Sequence, residues 1–371
     1  MNLNFNMPVH LITEHNCVAN HAPLFKRMGS KAMLVTGGSS AKRSGALDDV
    51  ISALNAQNIP YLIFDEVQQN PLISTCKKAG KMAMENGVDF LIGIGGGSPQ
   101  DATKAIAVFA ANDIPDEEIY SCNWENKALP FALVGTTAGT ASELTHFSVL
   151  TIDRTGRKRS LGCQQTYAAY AFGDAKYTYT LPFSFTLSTT LDALSHAIEC
   201  YYSTAANACS DLFAIEAVRV LLEVHRKLTG MTKAEEITDE LRDALYEGSL
   251  LAGFALNHCG TCFCHTMSYF LSEDYDIPHG FACAVTLPDF IERAEQLLPQ
   301  KAQALYAGAH TTKAELFGII HKLNLTELPR LTAAEIDDVV SRWNNDIPNF
   351  VKTPGGFTTD DAKILLQKHY Q

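Results

Sequence analysis

The chain has 371 residues, 46% of them hydrophobic and 19% charged, a balance that excludes a disordered chain and fits two or three domains at roughly 100–200 residues each. Its 41 acidic and 29 basic residues give a net charge of −12, and such a surface repels phosphate backbones and anionic lipid, which argues against nucleic-acid and membrane roles. No run of about 18 uncharged apolar residues occurs, the opening MNLNFNMPVHLITEHNC lacks a basic, apolar leader, and the ten irregularly spaced cysteines read as reduced thiols, so a cytoplasmic protein is expected.

Along the first half, short apolar runs each hand over to a glycine-rich or polar turn and then to a helical pattern. Ala32–Thr36 runs into Gly37-Gly38-Ser39-Ser40, Tyr61–Phe64 precedes a helix around Ser74–Asn86, Phe90–Ile94 runs into Gly95-Gly96-Gly97-Ser98, and Phe131–Val134 runs into Gly135-Thr136-Thr137-Ala138-Gly139-Thr140. Strands alternating with helices predict parallel pairing with right-handed crossovers, and strands that are apolar throughout predict a sheet covered on both faces.

After Leu181-Pro182 the strand signals stop, which predicts an α/β domain over residues 1–182 and an all-helical domain over 183–371. Thr232-x-x-Glu235, Thr312-x-x-Glu315, Thr332-x-x-Glu335 and Thr358-x-x-Asp361 have the form of capping boxes that open helices. The segment Asp211–Leu228 is expected to present Leu212, Ile215, Val218, Leu221, Leu222 and His225 on one face.

Three constellations carry chemistry. In Gly95–Asp101, glycines permit close backbone approach, Ser98 is suited to cap the helix, Pro99 to its first position and Asp101 to completing the box. The N–H groups left open there suit a pyrophosphate, although a plain strand-to-helix turn needs the same residues. The Thr136–Thr140 loop would line the same sheet edge, with hydroxyls that also serve an ordinary turn. Asp192 and His196, four apart, share a helix face, and with His265 and the Pro-His-Gly residue His279 they offer one carboxylate and three imidazoles to a divalent ion, iron(II) or zinc. A helix-capping Asp192 and a half-buried His196 are the plainer readings of the same residues. Cys259-x-x-Cys262 has no second ligand pair and reads as buried thiols.

Together and in this order, these motifs resemble the iron-dependent (group III) alcohol dehydrogenases. The resemblance is carried by Thr36–Gly45, Gly95–Lys104, Thr136–Glu143, Asp192–Glu199, and the fourteen-residue spacing of His265 and His279. It implies a Rossmann-like α/β domain followed by an all-helical domain, in a dehydroquinate synthase-like architecture, with a metal in the cleft between them and a homodimer or larger assembly. It implies Asp192, His196, His265 and His279 as metal ligands. It places Gly97, Ser98, Thr136, Thr137 and Lys158 on the cofactor, in a candidate set with Gly37, Gly38, Ser40, Lys42, Gly96 and Asp101.

The chain departs from the family pattern at Tyr269, where a second histidine usually follows the third ligand, at Ala141 in place of a glycine, and near Phe147 in place of an asparagine. With that histidine gone, Tyr269 or His258 is the candidate to relay the substrate proton. The implied reaction is hydride transfer between a nicotinamide cofactor and a small alcohol or aldehyde, with iron(II), or zinc, as Lewis acid. Ser39, Ser40, Lys42 and Arg43, where an acidic residue would hold a ribose hydroxyl, favour NADP(H) over NAD(H), unless the two cations are ordinary exposed charges. A dehydroquinate-synthase-like lyase would need basic residues for an anionic substrate, and His265–Phe281 contains no Lys or Arg. The residues also admit a glycerol-dehydrogenase-like polyol dehydrogenase and a non-catalytic nucleotide- or metal-binding homologue.

Overall fold

The computed structural model describes residues 5–371. The chain forms two units, residues 7–181 and residues 182–371, and Phe5 and Asn6 belong with the second. Phe5 and Asn6 therefore do not start the α/β unit as expected. Asn257 Nδ2 donates to the Asn6 carbonyl at 2.7 Å, and the Phe5 ring lies 5.7 Å from that of Phe213.

In the first unit the strands are β1 (His10–Thr13), β2 (Ala32–Val35), β3 (Tyr61–Phe64), β4 (Phe90–Gly95), β5 (Phe131–Gly135), β6 (Ser148–Thr151), β7 (Lys158–Leu161) and β8 (Tyr170–Gly173). Six make one parallel sheet in the order β1-β8-β5-β4-β2-β3, while β6 and β7 form a separate antiparallel pair. Every residue of β2, β4 and β5 is buried, as strands covered on both faces must be. The helices are α1 (Cys17–Asn20), α2 (Phe25–Met28), α3 (Ser40–Arg43), α4 (Ala46–Ala56), α5 (Ile73–Glu85) and α6 (Gly97–Phe109). The strand order reverses direction between β2 and β4, the switch point at which open α/β sheets bind ligands beyond their carboxyl ends. The two glycine loops follow these two strands.

The second unit is helical: α7 (Phe183–Tyr202), α8 (Ala208–Leu228), α9 (Asp239–Cys259), α10 (Phe263–Asp274), α11 (His279–Leu297), α12 (Pro299–Gly308), α13 (Lys313–Leu323), α14 (Ala333–Ser341), α15 (Pro348–Lys352) and α16 (Thr359–Tyr370). Thr312, Thr332 and Thr358 cap α13, α14 and α16 as their spacing predicts. Thr232 caps no helix: the 3-10 turn over Ala234–Glu236 starts from Lys233, and Thr238 caps α9 instead. Leu212 is 71% exposed, so the buried stripe of α8 runs through Ala214, Ala217, Val218, Leu221, Leu222 and His225.

His225 is fully buried, with Nε2 2.6 Å from Thr190 Oγ1 on α7 and Nδ1 without a hydrogen bond. Burial pulls its pKa down to about 3, from an ordinary value of 6.5. A depressed pKa favours the folded state above the unfolded value, and that contribution is lost as pH falls from 6.5 toward 3. The loss is on the order of 4 kcal/mol at the low end. Urea midpoints between pH 7 and 4 are expected to fall more steeply for the native chain than for His225→Gln. Equal slopes would remove His225 as a cause.

Candidate metal centre and nucleotide loops

Asp192, His196 and Glu199 sit at i, i+4 and i+7 of α7 and share its buried face. His265 enters from the first turn of α10, and His279 opens α11. Gly280 lets α11 start against α7: a Cβ there would fall far inside contact with the Ser188 carbonyl oxygen and 3.0 Å from Asp192 Cβ.

The three imidazoles converge on one oxygen. Asp192 Oδ1 lies 3.3 Å from His265 Nε2, 3.7 Å from His196 Nε2 and 3.8 Å from His279 Nε2. The His196 and His265 rings stack at 4.5 Å. Asp192 Oδ1 and His265 Nε2 are both buried, and they face each other without forming a hydrogen bond. A cation between such donors satisfies them all at once, so the residues present fit a divalent metal. Burial alone would raise the pKa of the Asp192 carboxyl, but His196, His265 and His279 together hold it well below the usual carboxylate range. The ring of His265, which burial would make less basic, is kept well above the usual imidazole range by Cys283, Glu199 and Asp192.

Glu199 was not singled out by sequence reasoning, yet it orients the cluster. Its Oε2 pairs with His265 Nδ1, and its Oε1 accepts from the backbone N–H of Cys262 at 3.1 Å and of Cys264 at 2.9 Å. The Cys259–Cys264 segment thus contributes amides rather than thiol ligands. A carboxylate on Nδ1 fixes the tautomer and leaves Nε2 to face Asp192. Ser268 does the same for His279. Its hydroxyl donates to the His265 carbonyl at 2.7 Å, so it accepts from Nδ1 of His279 at 3.2 Å. Cys283, one turn along α11 from His279, also lies in the cluster: the donor atoms of Asp192, His265, His279 and Cys283 are all within 4.8 Å of one another.

The His279 side chain is 34% exposed, against 4% for Asp192, 7% for His196 and 5% for His265. The cluster therefore meets solvent on the His279 side. Half-buried Tyr269, one turn from His265 on α10, stacks on the His279 ring at 6.0 Å. His258 is not brought to the cluster. Its Nε2 is 2.7 Å from Asn207 Nδ2, and its ring faces Phe5 at 6.0 Å, because the last turn of α9 points it there.

In the first unit, Gly96 caps α6 without a side-chain bond and Gly97 is its first residue, so Ser98 and Pro99 each stand two places further in than expected. Ser98 Oγ accepts from the Asn70 N–H at 3.3 Å instead of capping the helix. Gly96 and Gly97 face the second loop, where an added Cβ would lie 2.9 Å from Thr137 and 3.1 Å from Thr140 respectively. Thr137 Oγ1 is buried without a hydrogen bond, while Thr136 is fixed by donating its N–H to the Gly95 carbonyl at 3.1 Å. These partly exposed glycine amides, at a helix start and beside an unsatisfied hydroxyl, suit an anionic ligand.

Asp101 faces inward, not toward a cofactor. It accepts from Ser142 Oγ at 2.6 Å and from the Val149 N–H at 2.8 Å, and Lys104 Nζ lies 3.5 Å away. Lys104, fully buried, donates to the Ser142 carbonyl at 2.9 Å, to Ser142 Oγ at 2.7 Å and to the Phe147 carbonyl at 2.5 Å, which ties α6 to the second loop. Ala141 adopts φ 47°, a left-handed conformation that glycine fills with less strain. In the first loop, Gly37 bridges to Glu66, Gly38 has φ 53°, and Ser40 and Lys42 lie on α3. Lys158 lies in β7 opposite Thr151.

A doubly wound nucleotide-type sheet followed by a helical unit with a carboxylate and three imidazoles on one point defines the class of metal-assisted enzymes that take a nucleotide. The family model "Iron-containing alcohol dehydrogenase" matches residues 8–175, and the family's C-terminal model matches residues 186–322. The chain belongs to the iron-containing alcohol dehydrogenase family. It is 32% identical over 354 residues to alcohol dehydrogenase 4 of Saccharomyces cerevisiae, covering 92% of this chain and 91% of that protein. It is 34% identical to the NADPH-dependent butanol dehydrogenase of Clostridium saccharobutylicum over 71% of this chain and 68% of that protein. An iron-containing alcohol dehydrogenase from Thermotoga maritima superposes with a TM-score of 0.89 at 33% identity, covering 99% of each chain. Membership carries the oxidoreductase reading over the lyase. Among the described residues no helix is long and apolar enough to cross a membrane.

Proposed function

We propose that this chain oxidises small alcohols and reduces the matching aldehydes with NADP(H), using iron(II) or zinc held by Asp192, His196, His265 and His279. The observation that carries this is the convergence of three imidazole Nε2 atoms on Asp192 Oδ1. When bound, the ion supplies a Lewis acid for the substrate oxygen and the nicotinamide carries the hydride. Asp192 contributes the charge that retains the cation, while Glu199 and Ser268 hold the His265 and His279 rings with Nε2 presented. The Tyr269 hydroxyl, on the solvent side beside His279, passes the alcohol proton to water. Thr137 and the Gly96–Gly97 amides hold the pyrophosphate. The same family likeness supports a homodimer or larger homo-oligomer, and the ten free cysteines support a reducing, cytoplasmic setting.

Metal-stripped protein reloaded with iron(II) or zinc is expected to reduce short aldehydes with NADPH. Asp192→Asn, nearly the same shape, is expected to hold less than a tenth of the metal by elemental analysis and to turn over about a thousandfold more slowly. Full metal content in Asp192→Asn would remove Asp192 as a ligand.

Cofactor preference follows from the first loop. Lys42 and Arg43 occupy the last turn of α3, while the nearby Glu66 carboxylate is drawn to Lys78 at 2.5 Å, so a 2′-phosphate meets cations and a neutralised acid. Lys42→Glu with Arg43→Glu is expected to raise the KM for NADPH about tenfold or more and to leave that for NADH nearly unchanged. Equal effects on both cofactors would favour NAD(H) as the natural partner.

A further inference from the structure

Building on the metal-site reading above, the geometry points to Cys283 as a further donor to the same ion, which we propose shifts the site's preference from iron(II) toward thiophilic ions such as zinc and cobalt(II). Cys283 is fully buried and lies at i+4 from His279, on the same face of α11. Its sulfur is 3.7 Å from His279 Nε2 and 3.9 Å from Nδ1. A thiol that served only to orient the ring would aim its S–H at one nitrogen. Near-equal distances to both, with the His265 ring also beside the sulfur, show that the thiol is not committed to one nitrogen. Nδ1 already has Ser268 as its partner at 3.2 Å, so the ring does not need the thiol to fix its tautomer. The sulfur belongs instead to the compact set with Asp192, His265 and His279, whose donor atoms all lie within 4.8 Å of one another.

A soft thiolate among imidazole and carboxylate donors favours zinc and cobalt(II) over harder ions. Coordination is a simple exchange. The S–H bond breaks as the metal–sulfur bond forms, sulfur keeps the electron pair, and the proton leaves to the buffer, with nothing oxidised or reduced. His279 and Cys283 then grip the ion from one helix turn, as Asp192 and His196 do from another.

The test is spectroscopic and does not depend on turnover. Metal-free protein titrated with cobalt(II) is expected to develop a thiolate-to-cobalt charge-transfer absorption in the near ultraviolet. Cys283→Ser and Cys283→Ala are expected to bind one cobalt(II) without that absorption, with the zinc-over-iron(II) affinity ratio lowered about tenfold. Should both variants fail to fold, X-ray absorption of the zinc-loaded native chain decides, because a sulfur scatterer at about 2.3 Å must then join the nitrogen and oxygen ligands. Cobalt(II) bound by the native chain without the absorption, an absorption retained in the variants, or a zinc shell without sulfur overturns the proposal while leaving the imidazole–carboxylate site standing. Failure of the native chain to bind cobalt(II) or zinc at all overturns both.

Discussion

Gly280→Ala is expected to cost at least a hundredfold in turnover, although residue 280 has no side chain to offer a metal or a substrate. The added Cβ cannot coexist with the Ser188 carbonyl, and backbone cannot rotate away as a flexible side chain can. The start of α11 has to move off α7, and it takes His279 with it, away from Asp192 Oδ1. A displacement near 1 Å at a catalytic group is worth about a hundredfold. Overpacking of this kind also destabilises by about 1–3 kcal/mol or more. The check is paired: turnover and metal content on one side, urea midpoint on the other. Retained turnover at a lowered midpoint would show that α11 yields elsewhere and that the His279–Asp192 spacing is tolerant.

Removing Glu199 has the second large effect, and two substitutions separate its roles. Glu199→Ala leaves the His265 ring and the amides of Cys262 and Cys264 without their acceptor in a fully buried setting. Stranding buried polar groups in this way costs about 3–5 kcal/mol. Glu199→Gln keeps the shape and an acceptor oxygen but loses the charge. It is expected to fold, and to bind metal 10- to 100-fold more weakly, the range found when the partner of a metal-bound histidine is changed. Calorimetric metal titration of Glu199→Gln is the measurement, and unchanged affinity would reduce Glu199 to a purely structural residue.

These expectations show where the sequence was informative. Strands β2, β4 and β5 were legible because both faces are buried, which makes each a continuous apolar run closed by glycine or a polar turn, and edge strand β3 was legible because Tyr61–Phe64 is apolar although partly exposed. Strand β8 (Tyr-Ala-Phe-Gly) and edge strand β1 (His-Leu-Ile-Thr) are four residues long and carry no such mark. The β6–β7 pair puts exposed Arg159 and Ser160 among its few residues and reads as loop. The cluster was legible through the spacing of Asp192 and His196, because i, i+4 residues share a helix face whatever surrounds them.

Glu199 escaped notice because glutamate on a helix is ordinarily a surface residue. Its signal was context: a lone acid inside Leu194–Tyr202, otherwise apolar apart from Ser195 and His196, must be buried with partners of its own. Cys283 carried no signal, since a small buried thiol packs like alanine until neighbouring helices bring imidazoles to it. His258 misled for the opposite reason. Proximity in sequence to His265 counted for little once Gly260 (φ 65°) ended α9 and the chain turned into α10.

The Lys104 anchor has a consequence for redesign. A sealed ammonium that fastens α6 to the Ser142 and Phe147 carbonyls makes the start of α6 and the Thr136–Thr140 loop a single stiff cradle, so altering either one disturbs both. The α3 turn has no such fastening to Lys104. Attempts to swap one dinucleotide for another should therefore leave the cradle untouched and confine their changes to residues 39–43, where the scaffold can absorb them.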